Sequence, residues 1–365
     1  WEWPRHTADF SMFRVYADAN GNPAEYSKDN VPLQPKHFLP VSIKGVEEND
    51  FAMILGYPGR TNRWMPAGGI EQNVKFAYPA WVEGAKTGMD VMKRYMDKDE
   101  TVKLEYASKY ASTANYWKNR QGMIDALTKA GTAKTKEKEE AKFNAWANKK
   151  ANKAKYGKVI TTINDYYAQT NLKTSHDNYL SQLIRTSAYG GVPANIGNSL
   201  IAYYKENEAK RKEILPRLNG LIENVYGKFH APLEKDVFAA QLNLYTSKGA
   251  AYGLPEGVAR LKEENKGDFT SYINNAVAKS IFATKESVLA FMRDPKPENI
   301  VNDPLYVVSN ELLVKMRARS AEQVKAADDF EIAFRNLVAG LRESKMNSIK
   351  YPDANSTLRL TYGKV

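Results

Sequence analysis

The spacing of apolar residues along the chain changes twice. Phe10, Met12 and Arg14 alternate with Ser11, Phe13 and Val15, and neither set is cleanly polar, which predicts a strand over 10–17 buried on both faces. An Asn20-Gly21 pair closes a turn at 18–21. Further strands are predicted over 41–44 and 51–55, on either side of a turn at 47–50, and Gly56, Pro58 and Gly59 end the second of them. Pro32, Pro35 and Pro40 make the stretch before them extended and loop-like, which suits a barrel connection better than a helix.

From residue 73 the period becomes 3.6. A helix beginning near Asp97, with Asp97 as cap and Glu100 three residues on, puts Val102, Tyr106, Tyr110, Thr113, Trp117 and Ile124 on one stripe. Ala107, Ala111, Asn115 and Asn119 form its small, polar opposite face. Helical patterns follow over 132–155, 158–170, 177–188, 195–226, 233–247, 256–265, 269–282, 285–293 and 305–345. Breaks are expected at Gly190-Gly191, at 253–255 and at 295–297, and Pro216 should kink or split the 195–226 element. Leu358 and Leu360 alternate with Arg359 and Thr361, so 357–362 reads as a strand after a turn at 352–355. The expected organisation is a β segment at 1–72, a helical domain at 73–347 and a return to β at 348–365. That order is what a helical insertion within a β domain leaves behind.

Composition narrows the classes. The 43% hydrophobic content is enough for a packed core, and no apolar run is long enough to span a membrane. No charged-then-apolar start marks a signal peptide, although the chain opens inside a motif and is expected to lack its own beginning. The absence of cysteine excludes disulfides and thiolate metal sites. His6, His37, His176 and His230 are scattered without helical ligand spacing, so no metal or other cofactor is expected. Of the net charge of +11, nine lysines against three glutamates at 132–158 supply six. A lysine- and alanine-rich helix of this kind is a solvated face, and it has no arginine for bidentate phosphate recognition. The competing reading is a basic helical scaffold for nucleic acid or another acidic partner.

WxWPRHTxDFSMFRVY at the start, then NPAEYSKDNVP, PKHFLP and GYPGRT, ASTANYWKNRQGM at 111–123, and TLRLTYGKV at the close carry a family pattern. The chain resembles the bacterial serine dipeptidyl peptidases of the dipeptidyl-peptidase 7 and 11 type. The resemblance implies a mainly α chain: a large all-helical domain inserted in a chymotrypsin-like double β-barrel, of which only flanking strands are present. It implies release of dipeptides from peptides with a free N-terminus, a homodimer, and a periplasmic or secreted location. It does not imply nucleic acid as a partner.

By that resemblance Asp9 is the acid of a Ser-His-Asp triad, accepting the imidazole Nδ1 proton. Without it, an aspartate at a loop-to-strand junction would cap a turn. Trp1 corresponds to a tryptophan set against the substrate's N-terminal residue; the alternative is an exposed aromatic. Asn115 corresponds to the helical-domain residue that binds the free α-amine, and its alternative is a helix-to-helix hydrogen bond. An amide oxygen accepts from an ammonium without adding charge. The family's histidine lies upstream of this motif and its nucleophile in a downstream Gly-Asn-Ser-Gly. His6 is therefore a loop residue, and Ser199, in Gly197-Asn198-Ser199-Leu200, opens an apolar helical pattern and is structural. The chain is expected to be a central fragment, inactive alone.

Overall fold

A computed structural model of the chain describes residues 12–347 and 351–365, which divide into two units, Trp1–Arg60 with Ala354–Val365 and Thr61–Asp353. The first unit holds two antiparallel ribbons. β1 (Tyr16–Ala17) pairs with β2 (Val31–Pro32), and β3 (Phe51–Gly56) pairs with β4 (Arg359–Lys364) in the register Phe51↔Lys364 to Gly56↔Arg359. The β3 and β4 patterns thus find each other across the whole helical sequence. The strand expected over 10–17 is reduced, within the described residues, to Tyr16–Ala17, and 41–44 is not a strand. Two-stranded ribbons offer no second layer, so Met12 and Phe13 are exposed and not buried on both faces as the alternation predicted; Ile43, expected in a strand, is exposed as well.

The second unit is helical: α1 (Ala67–Gln72), a π turn over Asn73–Ala77, α2 (Tyr78–Met96), α3 (Glu100–Lys129), α4 (Thr132–Ala147), α5 (Lys153–Tyr156), α6 (Val159–Thr186) and α7 (Ala188–Lys205). Then come α8 (Glu208–Tyr226), α9 (Ala231–Lys248), α10 (Glu256–Glu264), α11 (Thr270–Lys279), α12 (Lys285–Arg293), α13 (Pro304–Arg317) and α14 (Ala321–Glu343).

Several boundaries move, each for a visible reason. Asp99, not Asp97, caps α3, accepting from Thr101 N at 2.8 Å and Val102 N at 3.2 Å. Asp97 is drawn back into an ion pair with Lys93 at the end of α2. Gly190-Gly191 does not break the chain but lies inside α7, where a Cβ at Gly190 would stand 2.2 Å from the Leu183 carbonyl. These glycines let α7 close onto α6. The break near 206 comes instead from Asn207, which caps α8 through Lys210 N, while Pro216 sits inside α8 on an exposed face where water can serve the freed carbonyl. A capping box of Ser320 with Gln323 divides the 305–345 pattern into α13 and α14.

Four apolar clusters hold this unit. Leu183, Tyr189, Phe238, Leu242, Tyr245 and Leu312 form the centre of the first, where α6, α7, α9 and α13 meet. Each fully buried side chain of this size stabilises the fold by about 1.5–3 kcal/mol relative to exposure. Close approach of α2 to α6 depends on Gly84 and Gly88, whose ideal Cβ positions lie 2.6 Å from Gln182 and 2.1 Å from Thr186. Among the described residues no helix is long and apolar enough to cross a membrane.

Candidate functional site

The candidate site is built on α3. Its first turns are fixed in the interior: Val102 and Tyr106 pack with Val91 and Met92 of α2 and with Leu233 and Val237 of α9. Beneath them, the buried Glu234 carboxylate accepts from the Tyr106 hydroxyl at 2.9 Å, Lys109 Nζ at 3.1 Å and Ala188 N at 2.7 Å. Burial first, then the Glu234 charge, pushes the Tyr106 phenol far above its ordinary range, so it remains a donor. One carboxylate therefore ties α3, α7 and α9 together.

Beyond Lys109 the helix emerges. Tyr110, Thr113, Trp117 and Ile124 are half-buried along the stripe, while Ala107, Ala111, Asn115 and Asn119 are exposed, which is the division the periodicity predicted. The Asn115 amide makes no side-chain hydrogen bond to another described residue. The helix-to-helix bond that was its alternative reading finds no partner among the described residues. Asp9 and Trp1 lie outside the described residues.

The opposite side of the same helical stretch carries a feature the sequence did not announce. The Arg120 guanidinium stacks 4.2 Å from the Trp81 ring of α2, with Tyr78 at 5.8 Å and Tyr116 at 5.9 Å, and Tyr116 meets Trp81 edge-on. Desolvation by these rings lowers its pKa, although a guanidinium stays charged at neutral pH. The pin holds the second half of α3 against the start of α2, and so fixes the rotation of the helix that presents Asn115. Its signal was faint: an i,i+3 pair of aromatics on one helix and an i,i+4 Tyr-Arg pair on another.

His6 lies outside the described residues. Ser199 is half-buried on α7 and donates to the Asn195 carbonyl at 2.8 Å, one turn back. His176 is buried between Asp177 and the Tyr245 hydroxyl, and His230 caps α9 through Leu233 N. No group of three or more His, Cys, Asp or Glu among the described residues could hold a metal ion.

The sequence profile of Peptidase S46 matches residues 1–365. The chain belongs to the peptidase S46 family. It is 47% identical over 366 residues to dipeptidyl-peptidase 7 of Capnocytophaga gingivalis and 32% identical over 367 residues to the Asp/Glu-specific dipeptidyl-peptidase of Porphyromonas gingivalis. In both comparisons all of this chain is aligned with 51% of the relative, so the S46 chain spans about half the length of the curated relatives it matches. The crystal structure of Porphyromonas endodontalis DPP11 in complex with the dipeptide Arg-Glu superposes on it with a TM-score of 0.79 at 31% identity, covering 100% of this chain and 52% of that one. The family expected from the opening motif, the 111–123 landmark and the closing strand is therefore the family found.

Proposed function

We propose that the chain is the central part of a serine dipeptidyl aminopeptidase, with a helical domain inserted in a chymotrypsin-like double β-barrel. The observation that carries this reading is the match, over the full 365 residues, to a peptidase family whose similar members are named dipeptidyl peptidases. In this reading β3 and β4 belong to the barrel, and Asp9 accepts the Nδ1 proton of a histidine supplied from outside the chain. That contact fixes the tautomer and stabilises the imidazolium formed when serine is deprotonated. Asn115 accepts from the α-ammonium and Trp1 packs against the first residue, so the distance between amine clamp and scissile bond sets a two-residue product.

The free, exposed amide of Asn115, on a helix anchored at Glu234 and pinned at Arg120, supports the clamp assignment. The chain alone holds neither the family's nucleophile nor its histidine and is expected to be inactive. The intact enzyme is proposed to be a homodimer, periplasmic or secreted, acting on peptides with a free N-terminus and needing no cofactor. The test is release of dipeptides from free and N-acetylated peptides by the intact protein: turnover of both alike, or of neither, overturns the assignment.

A further inference from the structure

We propose that the Arg120 guanidinium, seated on Trp81 where α3 packs on α2, is a binding site for a carboxylate group of a peptide. That the ligand is a peptide rests on the peptidase reading above, whereas the site rests on the arginine and its surroundings.

Arg120 carries five N–H donors and gives none of them to a described residue. Its Nε is enclosed and without an acceptor, and so is the indole N–H of Trp117, one turn earlier on the same side of α3. Enclosed donors without an acceptor are costly. The other half-buried arginines among the described residues avoid that cost: Arg211 donates Nε to the Tyr203 carbonyl at 3.2 Å, and Arg359 donates to the Asn355 side chain at 3.3 Å. Burial lowers the pKa of Arg120, and the Tyr78 and Tyr116 phenols act the other way, but no carboxylate among the described residues does. The guanidinium is thus drawn out of water without the anion that would compensate it.

The packing selects what can meet it. Trp81 lies 4.2 Å from the guanidinium carbon, with Tyr78 at 5.8 Å and Tyr116 at 5.9 Å, so the plane of the fork is set before a ligand arrives. Of its unpartnered nitrogens Nε alone is enclosed, which leaves the Nη pair open to solvent. A fixed, planar pair of donors matches the two oxygens of a carboxylate, where a lysine would offer only a point charge. The neighbouring Tyr116 ring, 55% exposed, gives apolar surface to the methylenes that carry such a carboxylate.

Binding to the intact protein is measured by calorimetry at low salt with probes that lack a free amine. They are acetyl-glutamate amide, acetyl-alanyl-alanine with a free C-terminus, and acetyl-glutamine amide as the uncharged control. Saturable binding of a carboxylate probe and none of the control is expected. Arg120→Lys, which keeps a charge over Trp81 and loses the fork, should weaken binding about tenfold, and Arg120→Met should abolish it. A thermal melt checks that each folds; if Arg120→Met does not, Arg120→Lys carries the comparison. Tighter binding of acetyl-glutamate amide assigns an acidic side chain, and tighter binding of acetyl-alanyl-alanine assigns a C-terminal carboxylate, either outcome sustaining the site. No saturable binding of either below about 10 mM overturns it. Equal binding of the control, tighter binding of inorganic phosphate, or affinity unchanged in the variants does so too. The probes are N-acetylated and the readout needs no turnover, so a failure of the dipeptide-release test leaves this result standing, and a failure here leaves that one.

Discussion

Leu242 of α9 and Ile54 of β3 are both aliphatic residues in regular elements, yet the first is 0% exposed and the second 69%. The contrast extends to their surroundings. In the helical unit the amphipathic stripes meet one another, and buried carboxylates such as Asp303 are tied into caps, here to Ser280, Ile281 N, Leu305 N and Tyr306 N. In the β unit Phe51, Met53 and Leu55 stay in the open beside Ile54, with Leu360 and Tyr362 on the partner strand. The helical unit closes its own core, whereas the β unit carries an apolar ribbon that calls for a covering layer. In the proposed reading, that layer is a barrel to which β3 and β4 belong.

The sharpest way to separate the units is through chemistry. Asp9→Asn in the intact enzyme should lower turnover by about 10⁴, because the wrong imidazole tautomer is then favoured. The melting transition of the helical unit should not move. Unchanged turnover in a dipeptide-release assay returns Asp9 to a turn cap.

Glu234→Ala tests the opposite unit. It leaves the buried Tyr106 hydroxyl and the half-buried Ala188 N and Lys109 without their acceptor, and each buried donor left unsatisfied costs about 1–3 kcal/mol. Chemical denaturation followed by the helical circular dichroism signal measures it. A loss below about 1 kcal/mol would show the α3–α7–α9 junction to be held by packing alone.

How much of this was legible follows the same line. The helical unit could be read because its stripes are buried by its own helices, so period and environment agree, as along Val102, Tyr106 and Trp117. The ends of helices were less legible, since they turn on competition: Lys93 takes Asp97 and leaves the cap to Asp99. Gly190-Gly191 has the composition of a break, but its use in close packing depends on Leu183, which only the fold brings near. In the β unit alternation indicated strands over 10–17 and 41–44, of which the described residues keep only Tyr16–Ala17, because pairing partners and not local pattern decide a strand. The exposed face that holds Asn115 was legible in the period of α3, while the Arg120–Trp81 pin joins residues of different helices and has no period to announce it.

Asn115→Ala addresses function on the well-packed unit. Its amide is exposed and unpaired with any described residue, so the melting temperature should hardly change. Loss of a charge-assisted hydrogen bond of about 1.5–3 kcal/mol would lower kcat/KM for free peptides by about ten- to over a hundredfold. The variant should also discriminate less against N-acetylated peptides, which lack the ammonium. A fall in activity only in step with stability would make Asn115 a packing residue.

The smallest effect is expected at Ile54. At 69% exposure its side chain has little contact to lose, so Ile54→Thr in the 365-residue chain should change the local stability of the β3–β4 ladder by no more than about 0.5 kcal/mol. A global melt would miss this, since two units need not unfold together. Amide hydrogen exchange at Ala52 and Gly56, whose N–H groups face β4 in this register, reports on the ladder directly. If further chain covers the ribbon in the intact enzyme, those amides should become strongly protected. Ile54→Thr should then reduce that protection by about 1.5–3 kcal/mol, the worth of a buried aliphatic side chain. Equal exchange in the two contexts would mean that the ribbon stays open, and the barrel assignment for β3 and β4 would fail with it.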